Sequence, residues 1–330
     1  MVNFYDVTLR DGNHAARHTL SAKFIADYCD IADKSGLWGV EVGHGNGIGA
    51  SSFLVGKAST SDQVLLETAR AHLGRVKLSV HLIPGFATIK KDIIPAINIG
   101  VDVFRVGTHV TEVDTARKHI EFISEHNKVC HGVMMMSHTV DARSQAAQAV
   151  ELERFGAGAV IVMDSAGHFI PSDVRERIRS IKDSVGVAVG FHAHNNLEMG
   201  VANALMAIEE GAQIIDGSSM GLGAGSGNAS LEAIIVNYRR SFVDDQELTP
   251  YLEMSQLVEL ECQDFLPRTT SSSIQSGNAG VFSGFAPQVR QISSEFGITQ
   301  EELWQELGKR RLVAGQESMI REIAQDLMNL

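Results

Sequence analysis

The chain has 330 residues, 44% of them hydrophobic, and a formal net charge of −12. That length and apolar content suit one large domain of about 250 residues with an extension, or two ordinary domains. The acidic balance argues against nucleic acid and anionic membrane surfaces as partners, yet leaves room for a small anionic substrate beside a local arginine.

In chain order, short β-type runs alternate with helix-type runs as far as residue 242. The expected strands are 4–9, 38–43, 76–83, 101–107, 129–136, 159–164, 187–194 and 213–219. Between them, stretches such as 21–36 and 142–156 carry apolar residues at i, i+3, i+4 spacing. Several end on a glycine just before the next strand, as at Gly36, Gly100, Gly156 and Gly211, the expected helix stop. Continuous Val/Ile/Met strands imply burial on both faces and a parallel sheet covered by helices. Eight such units close most economically into a (β/α)8 TIM barrel, a fold of the α/β class. An open doubly wound sheet is the rival, but RDGNHA after the first strand is no glycine-rich phosphate fingerprint.

After Phe242 the pattern changes, and residues 243–330 are expected to form a helical C-terminal domain on a 1–242 barrel. Helical segments are expected near 249–265, 280–296, 299–310 and 315–329, with 267–280 (PRTTSSSIQSGNAG) as a polar loop. No run of about 18 uncharged apolar residues is present to span a bilayer, and MVNFYDVTLRDG lacks the basic and apolar parts of a signal peptide. Cys29, Cys130 and Cys262 are odd in number and widely spaced. Together these point to a cytoplasmic protein.

A barrel carries its chemistry at the C-terminal ends of its strands. Read there, the chain offers Arg10, Asp11 and His14 after strand 1, Glu41, His44 and Asn46 after strand 2, and His109 and His138 after strands 4 and 5. Asp164 and Ser165 follow strand 6, His192 and His194 strand 7, and Asp216 strand 8. His192 and His194, two apart on a strand, face the same way and are either a metal's ligands or polar residues of a loop. Imidazoles with one carboxylate suit Mn, Fe, Co, Ni or Zn. Asp11 is the best third ligand, because closure makes strand 1 a near neighbour of strands 7 and 8; Asp164 and Asp216 are weaker candidates. The same donor set serves non-haem Fe(II) oxygenases, whose all-β scaffolds do not fit this βα alternation. Arg10 would sit beside the ion and stabilise an enolate, paired with Glu41. His14 stands where a general base works near neutral pH. GLGAGSGN (221–228) looks like a phosphate cradle without its lysine, or equally a tight turn before the next helix. MMM (134–136) reads as strand core.

DVTLRDGNHA (6–15), VEVGHGNGIGASS (40–52), VMDSAG (162–167), HAHNNLEMGVAN (192–203), GLGAGSGNASLE (221–232) and LGKRRLVAGQESMI (307–320) resemble the 4-hydroxy-2-oxovalerate aldolases, metal-dependent pyruvate aldolases of the DRE-TIM metallolyase group. The resemblance runs essentially end to end. It implies cleavage of a 4-hydroxy-2-oxo acid to pyruvate and an aldehyde, in the catabolism of aromatic compounds. It makes Asp11, His192 and His194 ligands of a divalent metal, usually Mn2+, with Mg2+, Co2+ and Zn2+ as alternatives. It makes Arg10 the enolate-stabilising arginine, His14 the base for the C4 hydroxyl and Glu41 the acid of the Asp–Arg–Glu signature. Arg10, Ser165 and Asn278 are the expected substrate contacts. An acylating aldehyde dehydrogenase is the implied partner in a homo- or hetero-oligomer. The sequence departs from the family at 277–285, GNAGVFSGF, where Asn278 and Phe282 stand at tyrosine positions, and at Asn46, where aspartate is common. A Claisen-type acyl-CoA lyase or synthase on the same barrel, and a degenerate aldolase that only binds a dehydrogenase, are the alternatives.

Overall fold

The structure is a computed structural model and describes residues 2–242, 247–312, 316 and 318–329. Among these, eight parallel strands close a barrel in sequence order: β1 (Asn3–Asp6), β2 (Gly39–Glu41), β3 (Lys77–Leu82), β4 (Val103–His109), β5 (Val129–Met135), β6 (Ala159–Asp164), β7 (Ala188–Ala193) and β8 (Ile214–Gly217). β8 pairs back to β1 with Tyr5 opposite Asp216. The (β/α)8 barrel with a C-terminal helical region is thus the observed fold.

Alternation along each strand divides the interior from the helix layer. Leu78, Val80, Leu82, Phe104, Val106, Val160, Val162, Val189 and Phe191 point outward into the main hydrophobic core. Inside, Tyr5, Val103, Val133, Ala159, Ile161, Met163 and Ile214 fill one end of the barrel as a separate cluster. Three of the helices around the barrel start on side-chain caps, with Ser21, Ser61 and Asp141 accepting from the backbone N–H three residues on. The four expected glycine stops all have left-handed backbone, φ from 79° at Gly36 to 106° at Gly156.

Several boundaries differ from expectation. β1 ends at Asp6, not residue 9, and Asp11 opens a short helix (Asp11–Ala15) whose first N–H donates to the Val7 carbonyl at 2.8 Å. The 267–280 stretch is not a loop throughout, because Ser271–Ala279 is helical. Thr270 and Ser273 form a reciprocal cap at its start, and Gly280, with φ 66°, closes its end. The following helix therefore begins at Ala286 and runs to Phe296.

The helix Thr249–Glu261 packs on the barrel. Tyr251, Met254 and Val258 join the main core, and the Tyr251 hydroxyl donates to the Ser35 carbonyl at 2.7 Å. A second core, with Val281, Phe285, Val289, Leu303, Trp304, Leu307, Ile320 and Ile323, belongs to the helices beyond it. No helix among the described residues is long and apolar enough to cross a membrane.

Candidate metal centre and its rim

Asp11, His192 and His194 converge at the C-terminal rim, all three buried, with one ligand atom from each lying within 4.8 Å of the others. The partners of each imidazole fix its tautomer. His192 Nδ1 donates to Asp216 Oδ2 at 3.0 Å, and His194 Nδ1 donates to the Gly227 carbonyl at 3.2 Å. A carboxylate and a carbonyl only accept, so in the neutral ring Nδ1 carries the proton and Nε2 the lone pair. His192 Nε2 is buried and has no hydrogen-bond partner, as an atom held ready for a metal would be.

Asp11 is held on both sides. Its Oδ1 accepts from Arg10 Nη1 at 2.6 Å, and its Oδ2 accepts from Asn228 Nδ2 at 2.8 Å and the Ala224 N–H at 3.3 Å. Burial would raise its pKa, but the Arg10 guanidinium beside it holds the carboxyl well below the usual range. The carboxyl is therefore an anion at neutral pH. Arg10 Nε donates to Glu41 Oε1 at 2.7 Å, whereas its Nη2 is buried and unpartnered. That leaves one edge of the guanidinium for an oxygen that is not the protein's own.

Further in, Arg105 of β4 donates to Glu41 Oε2 at 3.2 Å and to Asp216 Oδ2 at 2.6 Å. Three carboxylates (Asp11, Glu41, Asp216) face two guanidiniums (Arg10, Arg105), all buried, leaving one net negative charge if both ligand histidines are neutral. A buried uncompensated anion is costly, so the cluster favours a cation. Two imidazoles and a carboxylate, with no thiolate, suit a first-row divalent ion.

His14 lies in the short helix Asp11–Ala15, partly buried, and Gly45 passes so close that a Cβ there would be 2.4 Å from its ring. Burial lowers its pKa to about 4, against the smaller opposing pull of the Asp11 carboxylate and the Asn46 side chain. At neutral pH it is an uncharged base. His18 and His44 stack beside it with ring centroids 3.7 Å apart.

The other expected residues sit apart from the ligands. Ser165 Oγ accepts from the Met136 N–H at 2.9 Å, and Asp164 receives the N–H groups of His168 and Phe169. Asn278 is exposed on the helix Ser271–Ala279, and Phe282 packs edge-to-face on Phe285. That helix is docked on the rim by three loops. Asn196 donates to Ser276 Oγ, His168 Nδ1 to the Gly277 carbonyl and His138 Nε2 to the Gly280 carbonyl, each at 2.7–2.9 Å.

Sequence reasoning gave Arg105 and Asn228 no role, and took Asp216 as a weak ligand candidate rather than the partner of His192. Residues 221–228, which looked like a phosphate cradle, instead hold Asp11 and His194 through Ala224, Asn228 and Gly227.

A family model described as HMGL-like matches residues 1–261, and one described as a DmpG-like communication domain matches residues 267–329. The 4-hydroxy-2-oxovalerate aldolase of Spirochaeta aurantia is 48% identical over 323 residues, 98% of this chain and 95% of that protein. That of Pectobacterium atrosepticum is 44% identical over 323 residues, 98% of this chain and 94% of that protein. Among solved structures, the carboxyl transferase domain of Rhizobium etli pyruvate carboxylase has the same fold, with a TM-score of 0.81 at 18% identity, over 99% of this chain and 60% of that one. Matched along its barrel, its rim and its C-terminal helices, the chain belongs to the 4-hydroxy-2-oxovalerate aldolases of the HMGL-like family.

Proposed function

We propose that the protein is a divalent-metal-dependent lyase that cleaves 4-hydroxy-2-oxovalerate, or a close homologue, to pyruvate and an aldehyde. The observation that carries the reading is the meeting of Asp11, His192 and His194, with a lone buried His192 Nε2, beside an Arg10 whose Nη2 has no protein partner. An ion held by these three side chains would polarise the substrate's 2-keto group. Manganese is our first choice, with magnesium, cobalt and zinc behind it. Arg10 Nη2 donates to the oxygen that gains charge as the C3–C4 bond breaks. Neutral His14 takes the C4 hydroxyl proton, and Glu41 holds Arg10 in place. Ser165, whose oxygen already accepts from Met136, keeps its O–H for a substrate oxygen, and Asn278, exposed on the docked helix, is the other proposed substrate contact.

The match of residues 267–329 to a DmpG-like communication domain supports an acylating aldehyde dehydrogenase as partner in a hetero-oligomer. We move the domain boundary from Phe242, where the sequence suggested it, to Cys262, because Tyr251, Met254, Val258 and Cys262 belong to the barrel's core. Three unpaired buried cysteines favour the cytoplasm.

Pyruvate release from 4-hydroxy-2-oxovalerate tests the reading, with Mn2+ and again after chelation. We expect turnover that depends on the metal and is lost with its binding in His192→Ala. Equal turnover in stripped enzyme, or a metal-replete active His192→Ala, would overturn it.

A further inference from the structure

Buried polar side chains form an unbroken chain of contacts from one candidate metal ligand to another. Asp11 meets Arg10, Arg10 meets Glu41, Glu41 meets Arg105, Arg105 meets Asp216, and Asp216 meets His192. Arg105 is the member that spans the barrel. It leaves β4, and β4 lies four strands from β8 in either direction around the closed sheet, so its contact with Asp216 crosses the full interior. Its second amino group reaches Glu41 of β2. Beneath the guanidinium lies the ring of Tyr5, 4.7 Å from its centre.

We propose that Arg105 is a positioning residue for the metal centre: it fixes Asp216, which fixes the tautomer and aim of His192, and it fixes Glu41, which fixes Arg10. The proposal rests on the metal reading of the site. A planar fork that holds two carboxylates at once, with an aromatic ring against its face, is work for arginine. Lysine brings the same charge as a single point and cannot span both partners. Without the fork, Asp216 is free to turn from His192, and a histidine released from its carboxylate exchanges its ring proton between nitrogens. The carboxylate on the other arm, Glu41, would be held by the Arg10 guanidinium alone.

The decisive comparison is between wild type, Arg105→Lys and Asp216→Asn. Mn2+ affinity is read from the electron paramagnetic resonance of the free ion, and the His192 tautomer by 15N NMR of metal-free protein. We expect Mn2+ affinity to fall about 10–100-fold in Arg105→Lys, with a similar loss in Asp216→Asn. The double variant should lose no more than Arg105→Lys alone, since that substitution already breaks the link to Asp216. At saturating Mn2+, kcat should fall while KM holds. In the metal-free protein, His192 should change from a single Nδ1–H tautomer to a mixture. A structural role alone would lower the melting temperature and leave both Mn2+ affinity and tautomer as in wild type, and that result overturns the proposal. If Arg105→Lys does not fold, Asp216→Asn decides on the same readouts. A wild type that binds no Mn2+ would refute the metal reading, and the tautomer comparison would still judge Arg105.

Discussion

Gly223 lies directly against the carboxylate of Asp11: a Cβ at 223 would sit 2.5 Å from Asp11 Oδ2 and 2.3 Å from Nδ2 of Asn228. Neither atom is free to retreat, because they are hydrogen-bonded to each other at 2.8 Å, and Asp11 is tied at its other oxygen to Arg10. Gly223→Ala should therefore displace the ligand rather than disturb the fold. Its Mn2+ affinity should fall about tenfold or more, while its thermal midpoint changes little. Isothermal titration with Mn2+ beside a thermal melt checks this. A variant that binds metal as wild type does would show that Asp11 has room the structure does not suggest.

Asn46 gives a second handle, on the base. His14 is neutral above its lowered pKa of about 4, which burial sets, and the side chain of Asn46 that acts on it is uncharged. An aspartate there would put a negative charge beside the ring and raise its pKa by roughly one unit or more. The base is lost as pH falls through its pKa, so the acid limb of kcat/KM should move to higher pH in Asn46→Asp. Profiles at saturating Mn2+, with the His14 titration followed by NMR, test it. An unmoved limb alongside a raised His14 pKa would show that another group governs the acid side.

How much of this could be seen in the sequence follows from which interactions are local. The strands and their glycine stops could, because alternation and backbone conformation are written within a few residues. His192 and His194 could, since two positions on a strand share a face, and closure of the barrel brings Asp11 to them. Arg105 could not. It sits in the middle of a strand, 64 residues from Glu41 and 111 from Asp216, and no short pattern carries that distance. Asn228 was hidden by its setting, a glycine-rich loop whose amides serve Asp11 in place of a phosphate. The helix Ser271–Ala279 read as a loop because serine competes for backbone hydrogen bonds. Its reciprocal cap and its docking on three rim loops supply what propensity does not.

That docking leads to a third prediction. His138 and His168 donate to the Gly280 and Gly277 carbonyls, at the end of a helix that precedes Phe282. Each hydrogen bond contributes about 1 kcal/mol, and the two act on one element. His138→Ala with His168→Ala should speed amide hydrogen exchange across 271–280 by roughly tenfold or more, with the barrel strands unaffected. Mass-spectrometric exchange reads this directly. Equal protection in both proteins would assign the docking to Asn196 and to the apolar contacts of the helix.

The last prediction concerns acid stability. His131 points into the barrel, 2% exposed, stacked on Trp38 at 5.7 Å, with Nδ1 lacking a partner. Burial, reinforced by Arg105, lowers its pKa to about 3, whereas in the unfolded chain it titrates near 6.5. Between those values the unfolded state holds a proton that the folded state refuses. The stability His131 permits is complete above about pH 6.5 and drains away as pH falls towards 3, at about 1.4 kcal/mol per pH unit. Phenylalanine keeps an aromatic ring of similar volume and has no proton to bind. His131→Phe should therefore match wild type within about 1.5 kcal/mol at pH 8 and lose stability less steeply on acidification. Urea melts at half-unit steps from pH 7 to 4 should show slopes differing by about one proton. Parallel slopes would mean that His131 takes up its proton in the folded barrel, and that the polar interior around Arg105 is more open to water than its burial implies.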